Sequence, residues 1–283
     1  MKRIVWIIAL AMGFASCETV VELDLPESDP LLVVESQITN RSRPFEVQLS
    51  LTQPFNDQSP FDPVASAEVT ITSTDGTVYE LEHQGKGLFA TQTHVQAMVG
   101  ESYTLNIKYG GKEYTATERC KPQIQIDTLL AFFLPDQNGF IEPGFYAFIG
   151  SGEWEEPGDF YEWKIYKNDT LLDDFGPLVD SDEFREASFF NLNIDPNDPL
   201  ANFPEVQPRP FPFTFEEGDT VRVVQYNISQ EYYDFLLEIT AQLSRAGTPF
   251  DPPPANPRTN ITGAEALGFF SVANEQSIQV VVE

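Results

Sequence analysis

Ser102-Tyr-Thr-Leu-Asn-Ile-Lys-Tyr109, then Gly110-Gly111, then Lys112-Glu-Tyr-Thr-Ala-Thr-Glu118 is the stretch on which the fold turns. Tyr103, Leu105 and Ile107 alternate with polar neighbours, the period of two that puts one face of a strand in a core and the other in water. The glycines between the two runs accept the positive φ angles of a tight hairpin turn, which a residue with a Cβ resists. The stretch reads as an antiparallel hairpin.

Toward the N-terminus the same pattern repeats in Leu31–Ile38, Phe45–Leu51, Ala67–Thr72, Thr77–Glu82 and Gly87–Gln92. Val47, Leu49 and Leu51 alternate, as do Val69 and Ile71, and Asp75-Gly76 supplies another turn. Seven short strands in about 90 residues predict an immunoglobulin-like β-sandwich over residues 31–120. Pro122 is the expected boundary. Residues 121–283 then read as a second β-rich domain, with strands at Ile124–Leu134, Phe145–Trp154, Phe160–Lys167, Thr220–Ile228 and Ser277–Val282. One stretch, 229–245, has helical periodicity. Ser229 suits its N-cap and Glu231 its first turn, while Tyr232, Leu236, Ile239 and Leu243 form an apolar stripe flanked by Tyr233 and Leu237. The predicted class is mostly β, a sandwich followed by a β-rich domain with one amphipathic helix; 13% aromatics, 22 Pro and 17 Gly suit short strands and many turns.

Between two of the later strands runs a crossing from Asp195 to Phe215 that holds Pro196, Pro199, Pro204, Pro208, Pro210 and Pro212. Proline at that density excludes a central strand. Phe203, Phe211, Phe213 and Phe215 interleave with the prolines, and two readings stand open. Either the rings pin the loop over the sandwich, or they are anchors of a docking strap for a partner.

The N-terminus gives an address. Lys2 and Arg3 precede the apolar run Ile4 to Phe14, and Ala15-Ser16 lead to Cys17, the arrangement of a lipoprotein signal peptide over residues 1–16. The run is too short to span a bilayer. Cys17 is the expected lipid acceptor, with residues 17–30 as a tether, so the lipid would be the membrane contact. Sixteen Lys+Arg against 44 Asp+Glu leave a net charge of −28, which argues against a nucleic-acid partner.

Little in the sequence points to catalysis. The two histidines, His83 and His94, are too few for most histidine-dependent chemistry, and no zinc-protease, hydrolase-elbow or phosphate-loop motif occurs. Cys120 reads as a small buried hydrophobe. Glu153, Glu155 and Glu156 beside Trp154 are the least implausible carboxylates for glycoside hydrolysis. Asp195, Asn197 and Asp198, or Asp180, Asp182 and Glu183, offer oxygen ligands without the spacing of a calcium loop. No metal or cofactor is expected. Asp127-Thr128-Leu129, Asp169-Thr170-Leu171 and Asp219-Thr220-Val221 resemble the Asp-Thr-aliphatic sites at which Bacteroidota O-glycosylate exported proteins, which makes Thr128, Thr170 and Thr220 candidates for modification.

The order of motifs resembles a family of Bacteroidota lipoproteins of unknown function, domain-of-unknown-function family 4249. The resemblance is carried by Cys17-Glu18, Val21 to Pro26, Leu32-Val-Val-Glu-Ser-Gln-Ile38, Gly100 to Leu105, Gly111 to Tyr114, Ile126-Asp127-Thr128, Ser229 to Phe235, and Asn256-Pro257 through Asn260-Ile261 to Gly268-Phe-Phe270. It implies an outer-membrane lipoprotein, commonly encoded near TonB-dependent receptors, and supplies no catalytic residue. Glu18, Glu22 and Asp24 resemble the surface-export signal of such lipoproteins, so the cell surface is the expected location. The expectation is a non-enzymatic accessory lipoprotein that binds or presents something to a TonB-dependent receptor in nutrient uptake. A surface glycan-acting hydrolase and a structural envelope protein are the alternatives.

Overall fold

Eight strands open the fold, the seven that the alternation predicts and the two-residue β3 in addition: β1 (Leu32–Thr39), β2 (Glu46–Leu51), β3 (Asp62–Pro63), β4 (Glu68–Ser73), β5 (Val78–Gly85), β6 (Leu88–Ala90), β7 (Ser102–Tyr109) and β8 (Lys112–Arg119). This computed structural model describes residues 29–54, 60–122, 126–135, 142–151, 158–173, 176–181, 212–245 and 255–283. β1, β2 and β6 pair side by side, and β4, β7 and β8 form a second ladder. β5 turns the corner between them, with Leu81 opposite Val69 of β4 and Glu82 opposite Ala90 of β6. Val34, Val47 and Leu49 from one ladder and Ile71, Leu105 and Ile107 from the other share one core cluster. Two sheets therefore pack face to face as an immunoglobulin-like sandwich. Each of those fully buried aliphatics is worth about 1.5–3 kcal/mol in burial. The Gly110–Gly111 turn forms with both φ angles positive.

The remaining strands are β9 (Ile126–Leu134), β10 (Gly144–Ser151), β11 (Phe160–Lys167), β12 (Thr170–Leu172), β13 (Leu178–Ser181), β14 (Thr220–Ile228), β15 (Thr262–Gly263) and β16 (Ala266–Val281). β9 and β10 form a separate antiparallel pair. It packs on the sheet made by β11, β14 and the end of β16, where Leu129 and Ala147 meet Ile165, Val221 and Val223.

β16 differs most from the sequence expectation. The alternation predicts a short strand at Ser277–Val282; the observed one has 16 residues. Its first half, Ala266–Ala273, pairs parallel with the whole of β1, and its second half, Asn274–Val281, pairs antiparallel with β14. β15 adds Thr262 opposite Thr115 of β8. Division of the chain at residue 120 thus cuts two ladders, and Leu31–Glu283 forms one compact unit. Gly268 fits the parallel pairing by necessity. Its φ is +87°, and a Cβ there would lie 2.0 Å from the carbonyl oxygen of Val34, so only glycine lets the two backbones approach.

The helix, α1 (Gln230–Leu243), starts as predicted: the Ser229 hydroxyl accepts from the Tyr232 amide and Glu231 stands in the first turn. Its buried side differs from the expected stripe. Tyr233 and Leu236 are buried, Tyr232 and Phe235 lie against Phe269, and Leu237 and Leu243 are exposed. Among the described residues no helix is long and apolar enough to cross a membrane.

Candidate functional site

Polar side chains gather where the first sandwich meets the second sheet, and the strands place them there by alternation. Gln37 and Thr39 of β1, Glu275 of β16, Tyr226 of β14 and Glu162 and Lys164 of β11 are linked across strands. The Gln37 amide donates to Glu162 Oε2 at 2.6 Å, and Lys164 Nζ reaches Gln37 Oε1 at 3.3 Å and Glu162 Oε1 at 3.6 Å. Lys164 also stands 4.8 Å above the Tyr226 ring. Glu275 is gripped by the β1–β2 loop: Arg43 Nη2 donates at 2.7 Å, Arg41 Nε lies at 3.6 Å, and its backbone amide donates to Asn40 Oδ1 at 2.7 Å. Burial, and then the charge of Glu275, push the Tyr226 phenol well up, so it stays protonated at neutral pH. Buried Glu162 and half-buried Glu275 already have cationic partners, and the cluster joins residues more than 100 positions apart. Its chemistry is that of a clasp.

The opposite face of the same sheet carries a block of carboxamides. Gln225 pairs with Gln276 and Asn227 with Asn274 across β14 and β16. Gln276 accepts from the Ile126 amide at 3.0 Å and donates to its carbonyl at 3.2 Å; Asn227 donates to Pro122 O at 2.8 Å and Asn274 to Lys121 O at 3.3 Å. Side-chain amides here take the part of a neighbouring strand for the crossing from β8 to β9, satisfying backbone groups that burial would otherwise leave unpaired. Sequence reasoning missed these four. Their signal was present as carboxamides two apart in Gln225-Tyr-Asn227 and in Asn274-Glu-Gln276, a spacing that puts both on one face of a strand.

A groove of about 490 Å³ lies on the outer face of β4 and β7, lined by Thr72, Ser73, Thr74, Ser102, Thr104 and Asn106. Its lining is uncharged and hydroxyl-rich. Several of those groups bond each other or the strands: Thr104 Oγ1 lies 2.9 Å from Thr117 Oγ1, and Thr74 Oγ1 donates to Ser102 O.

The residues singled out by sequence fall in different places. Phe213 and Phe215 are not exposed anchors: both are buried with Leu129, Ala147 and Ile165, and the Phe215 amide donates to Phe145 O at 2.9 Å. The end of the crossing is drawn into the gap between hairpin and sheet. Phe203 and Phe211 lie outside the described residues, as do Cys17, Glu153, Trp154, Glu155, Glu156, Asp182, Glu183, Asp195, Asn197 and Asp198. Asp180 accepts from the Ser181 amide. His83 and His94 are both exposed on the first sandwich. Cys120 is buried and burial pushes its thiol up to about 11, so no thiolate nucleophile is available there. Of the threonines, Thr128 is half-buried opposite Gly150 in β9. Thr170 is exposed just after the turn Asn168–Asp169, and Thr220 is half-buried beside it, with its amide bound to Asn168 Oδ1 at 2.9 Å. The structure brings Thr170 and Thr220 to one end of the sheet and leaves Thr128 apart.

Comparison with known proteins adds a family and little else. No curated protein matches the chain. Among solved structures, a two-domain fibronectin type-III segment of chicken tenascin is similar at 11% identity over 71% of this chain and 92% of that one, with a TM-score of 0.20; the sandwich assignment rests on the ladders described above. A family model described as "Domain of unknown function (DUF4249)" matches residues 18–279, nearly everything after Cys17, and the chain belongs to that family.

Proposed function

We propose that the protein is a non-enzymatic accessory lipoprotein of the Bacteroidota outer membrane, anchored through Cys17 and acting as a binding or presentation partner of a TonB-dependent receptor. The observation that carries this reading is β16. One unbroken strand is shared by the first sandwich and the second sheet, and the charged residues at their meeting point are spent on clasping the two together. That is how a rigid arm is built, one that holds a surface at a fixed place relative to the end where the chain enters. The acidic surface, at a net charge of −28, disfavours adsorption to anionic lipid and leaves the lipid as the attachment.

Two measurements test the reading. Fatty-acid labelling and membrane fractionation should show the wild type in the membrane and a Cys17→Ala variant unlabelled and released; labelling retained by the variant overturns the anchor. Affinity purification from detergent-solubilised outer membrane should recover a TonB-dependent receptor. Recovery of none, with the protein correctly anchored, overturns the partnership. The rival glycan reading draws on the hydroxyl-lined groove, which fits an uncharged polyol; release of reducing sugar from surface polysaccharide by the purified protein would favour it instead.

A further inference from the structure

Two buried carboxylates, Glu118 and Glu162, and one half-buried, Glu275, stand at the places where the first sandwich meets the rest of the fold, and they are not alike. Glu162 has Lys164, and Glu275 has Arg41 and Arg43. Glu118, 9% exposed near the end of β8, has no ion pair among the described residues. Its Oε1 instead receives two long bonds from neutral donors, the Ser229 hydroxyl at 3.2 Å and the Asn260 amide at 3.3 Å. Those donors belong to two other elements. Ser229 is the N-cap of α1, where it also holds the Tyr232 amide. Asn260 sits in the segment leading to β15 and brackets Phe270 of β16, donating to its carbonyl at 2.8 Å and accepting from its amide at 3.1 Å. One oxygen atom therefore ties β8, the helix start and the C-terminal segment together.

The charged groups around this point do not compensate it. On β8, Arg119 turns away to Gly100 O, and beyond it Lys121 lies over the Phe160 ring. On the helix side, Glu231 adds a like charge. On the C-terminal segment, Arg258 is committed to Asp234 and Glu238. A buried anion with only neutral donors, Ser229, Asn260 and the Arg119 backbone amide, and with a negative neighbour is unfavourable because burial outweighs those bonds, whereas the neutral acid is not.

We infer that Glu118 is a proton-operated latch, closed when its carboxyl is neutral and loosened when it ionises, which sets how firmly the helix start and the C-terminal segment hold to the first sandwich. Burial, the largest cause, moves the carboxyl from 4.5 to about 7. The sign comes from linkage. A carboxyl raised in the folded state contributes stability that is full below pH 4.5, declines as pH rises toward 7, and is gone above it. The latch is tight in acid and slack in mild alkali, within the range that an envelope protein meets. This property holds whether or not the receptor partnership does.

Hydrogen exchange on the full chain tests it, read at the Tyr232, Tyr233 and Phe270 amides, which the latch positions. After correction for intrinsic exchange, wild-type protection should fall by about 10- to 100-fold between pH 5.5 and 8.5, since each pH unit by which folding raises a carboxyl is worth tenfold in the equilibrium. The fall should lie on the acid side of pH 7 and level off near it. Glu118→Gln should hold the acidic level throughout, and Glu231→Gln should lower the pH at which the fall levels off, by removing the like charge. The Ile107 amide, deep in the first core, should be unmoved in all three. Equal pH profiles in wild type and Glu118→Gln overturn the latch. If that variant does not fold, the wild-type profile decides, and protection independent of pH across this range overturns it as well.

Discussion

The first sandwich and the second sheet solve the same problem, burying one face of each strand, by different means. In the first, residues of alternating strands meet in a single core cluster with few buried polar groups. In the second, the buried apolar residues fall into separate clusters on the two faces of one sheet and on the hairpin. Buried Glu162, Gln225, Asn227 and Asn274 share that sheet. A core cluster made of apolar side chains holds itself together, while buried amides and carboxylates, Glu118 at the edge of the first region included, hold only if every partner is in place. The first region therefore depends on packing and the second on register.

The comparison can be broken hardest at the strand both regions share. A chain ending at residue 265 should lose the β1 partner and the β14 partner together, so circular dichroism and amide dispersion should show neither region native. A first sandwich that persists alone in that truncation, or in a fragment ending at residue 120, would show it to be independent of β16. Next in size is the second core: Phe215→Ala should cost about 3–5 kcal/mol by chemical denaturation. Phe211→Ser, in the part of the crossing that remains the candidate partner anchor, should instead reduce receptor recovery with an unchanged melt. A Phe211 change that costs as much as Phe215 would make the whole crossing core.

Glycine positions sharpen the contrast between register and packing. Gly268→Ala should cost about 3 kcal/mol or more, since strain at positive φ adds to collision with the Val34 carbonyl. Gly110→Ala, with φ +59° and nothing within 4 Å of the new Cβ, should cost about 1 kcal/mol from strain alone. Equal costs at the two sites would mean that β1 and β16 can separate locally. The smallest effect is expected at Arg258, half-exposed between Asp234 and Glu238; Arg258→Ala should change stability by less than about 1 kcal/mol, and a larger loss would show that the C-terminal segment is held mainly from the helix.

How far the sequence could be read depended on which kind of interaction dominates. β7, β11 and β14 were legible to the residue, and α1 to within two residues of each end, because an apolar period and a cap are local signals. The first half of β16 was not. Gly268 breaks its pattern, and Asn274-Glu-Gln276 is a polar run with no apolar alternation to mark a strand. Of the candidate site, the Phe/Pro crossing was found, but the choice between pinned loop and docking strap stayed open at its end, since burial of Phe213 and Phe215 depends on a hairpin far along the chain.

Alternation, turns and one capped helix by themselves determined that this is a mostly β protein opening with an immunoglobulin-like sandwich, since each of those signals acts between near neighbours. Tertiary structure alone decided that the last strand completes the first sheet and continues into the second, that Glu275 and Glu162 have cations while Glu118 has none among the described residues, and that carboxamides brace the crossing between them. Apart from the Glu162–Lys164 pair, which lies two positions apart on one strand, those outcomes depend on residues more than 100 positions apart meeting in space, and no local pattern records which distant partner a polar side chain will find.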